Sequence, residues 1–257
     1  MKKHTFAILA YKESEYLEEC IKSVMKQNKE SEIIILTQTP CDFITKLAKK
    51  YKLETVEIKE KGIGNAFDFA LKYIKTEFVT ICHQDDVYYE DYYNEVVKKM
   101  NSKTLISFSD YDEFKNDKIV STNTNLKIKR ILLFPIRLFK NSKFIRRRSL
   151  SLGCPICCPA VTFNKNLVKT PLFENPDFRS DVDWQAWETI SKLKGEFLYN
   201  KKHLMFHRIH DDSETSKVIA DNKRTKEDLI MFKKFWPTPF AKIICKLYSN
   251  SEKSNSK

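Results

Sequence analysis

Glycine is scarce in this chain, at four of 257 residues, and no low-complexity tract precedes Ser249–Lys257. So few chain breakers exclude long flexible linkers and a predominantly disordered chain; most of the sequence is expected to fold, with a frayed polar end. No run of 18 consecutive apolar residues occurs, which excludes a bilayer-spanning helix. Met1–Phe6 leads directly into a strand, without the apolar stretch and small-residue cleavage site of a signal peptide. The expected location is cytoplasmic, extending to the inner face of the cell membrane. Seven cysteines form an odd set in largely apolar surroundings, which argues for reduced thiols over a disulfide framework. Cys154, Cys157 and Cys158 lack the second Cys pair or nearby His that would complete a tetrahedral zinc site.

Acidic residues are absent from Lys118 to Phe173, a segment holding 12 Lys or Arg; elsewhere 34 basic residues face 34 acidic ones, so this segment carries the whole net charge of +12. Its centre, residues 127–148, interleaves Lys and Arg with Ile, Leu and Phe. That mixture suits an anionic membrane surface. It also suits a solvated basic face beside a phosphate-bearing substrate. Nucleic acid is the remaining anionic partner, but no recognisable nucleic-acid motif accompanies the run, and none is expected to bind.

With 42% hydrophobic residues, the chain can build one sizeable core. Apolar runs at 5–10, 32–37, 54–58, 78–82 and 104–109 predict strands, and helical spacing predicts helices at 17–25, 42–51, 63–74 and 89–100. Ser14 is the expected N-cap of the first helix, and Gly62 introduces the third. This alternation predicts an α/β fold with a Rossmann-like, mostly parallel central sheet. Beyond Asp110 the pattern loosens into a hairpin, the basic segment, a loop at 153–159, a strand at 160–163, a helix at 183–194, short strands at 197–199 and 204–206, and helices at about 221–235 and 240–248. The expected organisation is a single domain over 1–240, with a nucleotide-binding half to residue 110 and an acceptor-side half at 111–240, followed by a basic helix and tail at 241–257.

The densest chemistry follows the strand Phe78–Cys82, where the chain continues His83-Gln84-Asp85-Asp86. Ligands bind at the carboxyl ends of strands in open α/β sheets, and adjacent carboxylates there can hold a hard cation that in turn holds a phosphate. An Asp pair before a helix is equally a turn or cap. Asp183 opens a helix, where the dipole stabilises a carboxylate whether as site or as cap. In the polar run from His207 to Ser216, Arg208 and His210 alternate onto one side of an extended segment.

Taken in order, these features resemble the family 2 glycosyltransferases, of the bacterial surface-polysaccharide type. Phe6–Val24 resembles the family's opening strand and helix, and Gly62–Leu71 its next signature. Asp85-Asp86 resembles the acidic nucleotide–metal motif, Asp183-Trp184 the acidic-Trp motif, and Arg208-Ile209-His210 with Ser213 and Ser216 the C-terminal element. The similarity runs from residue 5 to about 216. Four positions depart from the pattern: Thr37-Gln38-Thr39-Pro40 stands where an acidic pair is usual, Phe67 replaces an Arg, His83 replaces the first acid of the metal motif, and Val182 replaces a Glu.

The resemblance implies a GT-A fold and a metal-dependent, inverting transfer of a sugar from a nucleotide diphosphate-sugar to an acceptor hydroxyl on a glycan or lipid-linked saccharide. It implies Asp183 as the base, and Asp86 as the principal ligand of Mn²⁺ or Mg²⁺, with Asp85 and His210 beside it. It places Ala10, Tyr11, Glu13, Thr37, Asp68, Gln84, Asp85 and Arg208 around the donor. A sugar-nucleotide-binding protein of the same fold that has lost catalysis is the alternative. A sugar-nucleotide pyrophosphorylase would need a Gly-rich basic loop after the first strand, and Ala10–Ser14 is not one.

Overall fold

The computed structural model describes residues 3–27, 30–210 and 223–255. The first half alternates as expected: β1 (His4–Ala10), α1 (Leu17–Met25), β2 (Ser31–Thr37), α2 (Asp42–Tyr51), β3 (Glu54–Glu57), α3 (Ile63–Tyr73) and β4 (Phe78–His83). It continues with β5 (Val87–Tyr88), a π-helical turn (Tyr93–Val97), β6 (Thr104–Lys115), β7 (Lys118–Val120), α4 (Thr124–Leu138) and α5 (Lys143–Ser149). A 3₁₀ turn (Cys158–Ala160) leads into β8 (Val161–Asn164), α6 (Val182–Ser191) and β9 (Glu196–Arg208). The last helices are α7 (Lys223–Lys233) and α8 (Thr238–Asn255).

Among the described residues the strands form one sheet in the order β3-β2-β1-β4-β8-β6-β9-β5, with β7 paired to β6. β1 to β4 are mutually parallel, and β8 enters antiparallel between β4 and β6. Both faces are covered. Along β1, Phe6, Ile8 and Ala10 enter one apolar cluster with α1 and α2, while Ala7 enters the other with α3 and α6. The period-two alternation of a strand therefore feeds two cores. Trp184 and Trp187 are fully buried in the second of these. No described helix is long and apolar enough to cross a membrane.

Several local expectations are corrected. The helix expected over 89–100 is reduced to the short π-helical turn Tyr93–Val97, because Gln27 intercepts the backbone. Its side-chain amide donates to the Tyr89 carbonyl (2.9 Å) and accepts from the Tyr93 amide (3.0 Å), the two groups an α-helix would pair. The two strands expected at 197–199 and 204–206 are one strand, β9, whose polar middle is absorbed by register shifts against β6 around Asp110. Ser14 does not cap α1 through its side chain; its carbonyl accepts from Leu17, and Tyr16 stands at the cap position. The loose basic segment is two helices. The hairpin expected after Asp110 is formed by β6 and β7, with Asn116 (φ 52°) and Asp117 (φ 57°) as the left-handed turn residues. Ser213, Ser216 and the expected start of the helix at Asp221 lie outside the described residues.

Candidate active site

The turn after β4 carries Asp85 and Asp86 into β5, and β5 pairs antiparallel with β9, Val87 opposite Phe206. That pairing brings the end of β9 against the acidic turn across more than 120 residues of sequence. Asp86 is fully buried. Its Oδ1 lies 2.9 Å from His207 Nδ1 and accepts from the Arg208 backbone amide at 3.1 Å. Its Oδ2 is buried and accepts no hydrogen bond among the described residues. His83 Nδ1 is 3.8 Å from that oxygen, and His83 Nε2 is also buried without a hydrogen-bond partner. One ligand atom each from His83, Asp85 and Asp86 can be chosen so that all lie within 4.8 Å of one another. An orphaned buried carboxylate oxygen is costly unless something compensates it. Two carboxylates and an imidazole with ligand atoms this close fit a divalent cation.

His83 thus takes a place in the cluster that the sequence pattern withheld from it. His210, expected as a ligand, has its Nε2 2.9 Å from Asp85 Oδ2, beside the cluster. Burial alone would raise the Asp85 carboxyl, but His210, His83 and His207 bring it down to about 2. Burial likewise opposes charge on His207, yet the Asp86 carboxylate beside it raises the imidazole to about 9. Two departures from the family pattern prove to be one packing unit. The Phe67 and His83 rings stack at 5.5 Å and 16°, so an apolar contact stands where the pattern has an Arg and an acid.

Arg208, expected at the donor, is buried and committed to the fold. Its Nε donates to the Asp85 carbonyl (3.0 Å) and its Nη2 to Glu19 (2.6 Å), while the Tyr16 and Phe114 rings lie 4.3 and 4.6 Å from the guanidinium carbon. Glu19 and His207 were not singled out from the sequence. Both act through partners more than a hundred residues away, which leaves no local signature.

The remaining donor-side residues divide. Gln84 and Tyr11 clamp the loops after β4 and β1: the Tyr11 amide donates to Gln84 Oε1 (2.9 Å) and Gln84 Nε2 donates to the Tyr11 carbonyl (3.0 Å). That leaves the Tyr11 ring 49% exposed. Glu13 is exposed, and Ala10 and Thr37 are buried, with Thr37 Oγ1 accepting from the Thr39 amide at 3.1 Å. Asp68 is built into the scaffold. Its carboxylate accepts from the amides of Leu172, Phe173 and Glu174 at 2.7, 2.9 and 2.7 Å. One turn earlier on α3, a Cβ at Gly64 would meet the Phe173 carbonyl oxygen at 2.7 Å, so only glycine lets the loop approach so closely. Asp68→Ala, which strands the amides of buried Leu172 and Phe173 and frees that of exposed Glu174, is expected to lower stability by on the order of 3 kcal/mol, read from urea unfolding; a loss within 0.5 kcal/mol would refute the clamp.

Asp183 stands in the first turn of α6. Its Oδ1 accepts from the Trp184 amide (2.7 Å), and Cys154 Sγ donates to its Oδ2 (3.6 Å). The helix is fixed behind it by Trp184 Nε1, which donates to the Leu150 carbonyl (3.0 Å), and by Glu227 of α7, which accepts from Ser180 and Asp181. Burial raises the Asp183 carboxyl above the ordinary range, against the pull of the Trp184 amide, Arg224 and Lys129. Burial raises the Cys157 thiol, with Asp86 and Asp183 adding to the rise and Lys129 opposing it. Lys129, on the inward side of α4, donates to the Tyr111 hydroxyl (2.8 Å). Burial opposes its charge, but Tyr111 raises the amine above its usual range.

A family model described as glycosyl transferase family 2 matches residues 5–168. An uncharacterised glycosyltransferase of Rickettsia typhi is 22% identical over 263 residues, covering 91% of this chain and 78% of the relative. Among solved structures, the mannosyltransferase PcManGT of Pyrobaculum calidifontis, in complex with GDP-Man and Mn²⁺, superposes with a TM-score of 0.63 at 15% identity, over 96% of this chain and 69% of that one. S. aureus TarS in complex with UDP-GlcNAc superposes with a TM-score of 0.57 at 14% identity, over 95% and 70%. At these identities the structural likenesses establish the GT-A fold.

Proposed function

Since this chain belongs to the family 2 glycosyltransferases, and is a glycosyltransferase, we propose that it moves a sugar from a nucleotide diphosphate-sugar to an acceptor hydroxyl with inversion, assisted by a divalent cation. The observation that carries this reading is the buried, unpartnered Asp86 Oδ2 in the turn after β4, in one group of ligand atoms with Asp85 and His83. Asp86, Asp85 and His83 would hold the ion, and His207, His210 and Arg208 keep the two carboxylates in place. When bound, the cation would neutralise charge developing on the leaving diphosphate. Mn²⁺ is the expected ion over Mg²⁺, which favours an all-oxygen octahedron.

Asp183 would accept the acceptor proton, and its elevated pKa makes it a better base than an exposed aspartate. Lys129 adds positive charge on the acceptor side. Tyr11, half exposed beside the Gln84 clamp, offers a face for the nucleobase. The solved relatives hold GDP- and UDP-sugars, so these are the donors to try first. The acceptor would be a glycan or lipid-linked saccharide reached from an anionic membrane surface at the inner face of the cell membrane.

A thermal-shift panel of UDP- and GDP-sugars with Mn²⁺ tests the proposal. A true donor at a hundredfold excess over Kd stabilises by about 2.7 kcal/mol, about 5–10 °C for a chain of this size. If no nucleotide-sugar moves the melting temperature, with or without Mn²⁺, the reading fails.

A further inference from the structure

α4 has two faces of different chemistry. Leu126, Leu133 and Ile136 are buried, and Lys129 lies on the same inward side. The opposite side carries Ile128 (50% exposed), Ile131 (71%), Phe134 (53%) and Leu138 (64%), spaced three and four residues apart so that they form one stripe. α8 repeats the arrangement. Ala241 and Cys245 face the core, while Phe240 (60%), Ile243 (61%) and Leu247 (66%) form an exposed stripe, with Lys242 and Lys246 exposed beside it.

The two helices belong to one region of the molecule. Leu133 and Ile136 of α4 and Ala241 and Cys245 of α8 enter the same apolar cluster, against which Ile145 of α5 and Tyr248 of α8 also pack. α5 links them: Arg148 lies 5.6 Å from its own Phe144 ring, itself 68% exposed, and 5.1 Å from the Trp236 ring just before α8. Isolated exposed apolar residues are ordinary, but two helices each bearing a stripe of large ones are not.

Charge identifies what covers them. Residues 118–173 contain no acid, and neither do residues 238–250 of α8. The exposed Lys127 and Arg137 accompany the α4 stripe, and their long stems can lie along apolar surface with the charge in the headgroup layer, whereas Arg130 is held by Asp110 and the Ser121 carbonyl. Protein interfaces are depleted in lysine at their centres, whereas this surface interleaves Lys with Ile and Phe. We propose that α4, α5 and α8 together form a docking surface that lies in the interfacial layer of an anionic lipid bilayer. The inference deepens the proposed function, because α4 would then present Lys129 to the acceptor region from one side while resting on lipid with the other.

Co-sedimentation of the full chain with phosphatidylglycerol-containing and pure phosphatidylcholine vesicles tests it. Binding to the anionic vesicles is expected and should weaken as salt rises. Ile131→Asp and Ile243→Asp, each on a different helix, should each reduce vesicle binding by about tenfold or more. Arg137→Glu should reduce it by at least about tenfold. All three are exposed, so melting temperature and donor-induced shift are expected to stay at wild-type values. Absence of vesicle binding, equal binding to the uncharged vesicles, or wild-type binding by the α8 variant would each overturn the inference. So would a concentration-dependent dimer in light scattering that the same substitutions abolish, which would make a second copy the occupant. A donor shift without vesicle binding removes this inference alone; vesicle binding without any donor shift removes the functional reading and leaves the surface.

Discussion

Asp183→Asn is expected to lower turnover by about 10²–10⁴-fold, the usual contribution of a positioned base, while donor affinity stays within about threefold of wild type. Asparagine keeps an oxygen for the Trp184 amide, which donates to the carboxylate at 2.7 Å in the native protein, so the start of α6 should survive. What disappears is the ability to take a proton. The wild-type rate should show the same group. Burial raises the Asp183 carboxyl above the ordinary aspartate range, and the proton acceptor is the ionised form. Activity should therefore be full above that raised pKa and fall as pH drops through it, at a higher pH than an exposed aspartate would give. The residual activity of Asp183→Asn should lack that limb. Single-turnover rates and donor titrations across pH separate the outcomes. Equal loss of donor binding and turnover would assign Asp183 to helix structure, since a carboxylate in a first turn also stabilises the helix dipole.

Asp86→Asn is the second large effect. The cation-dependent rise in melting temperature, about 5–10 °C at a hundredfold excess of Mn²⁺ over Kd, should vanish, and cation-stimulated transfer should vanish with it. Asparagine retains an acceptor for the Arg208 amide, which bonds Asp86 Oδ1 at 3.1 Å. The β5–β9 junction is thereby kept, whereas alanine would strand both that amide and His207. His83→Ala should leave cation binding intact but weaker. A Mn²⁺ shift unchanged in Asp86→Asn would refute the metal assignment whatever the activity does.

Much of the first half was legible because its signals are local. Alternating apolar strands and periodic helices located β1 to β4 and α1 to α3 within about a residue, and the acidic turn after β4 could be recognised by position. The second half was harder to read because its structure depends on distant partners. Gln27 reduces an apparent helix at 89–100 to a short π-helical turn. Pairing with β6 joins two apparent strands into β9. In the site, Asp85, Asp86 and Asp183 were visible as acids at suggestive positions. The sequence could not reveal that Arg208 is held by Glu19, or that Asp68 spends its carboxylate on the backbone of Leu172 to Glu174.

By its own residues, then, the sequence determined the family, the order of its motifs, the acids at strand and helix ends, and a basic segment free of acid. Those properties depend on residue type and short spacing, which survive without knowledge of the fold. Only the tertiary structure decided which polar groups remain available. It leaves Asp86 Oδ2 buried and unpartnered, draws His83 into the cluster against Phe67, and packs the inner faces of α4 and α8 into one apolar cluster while their stripes stay exposed. Availability is a matter of burial and of partners brought from far along the chain, and neither is written in any local stretch of sequence.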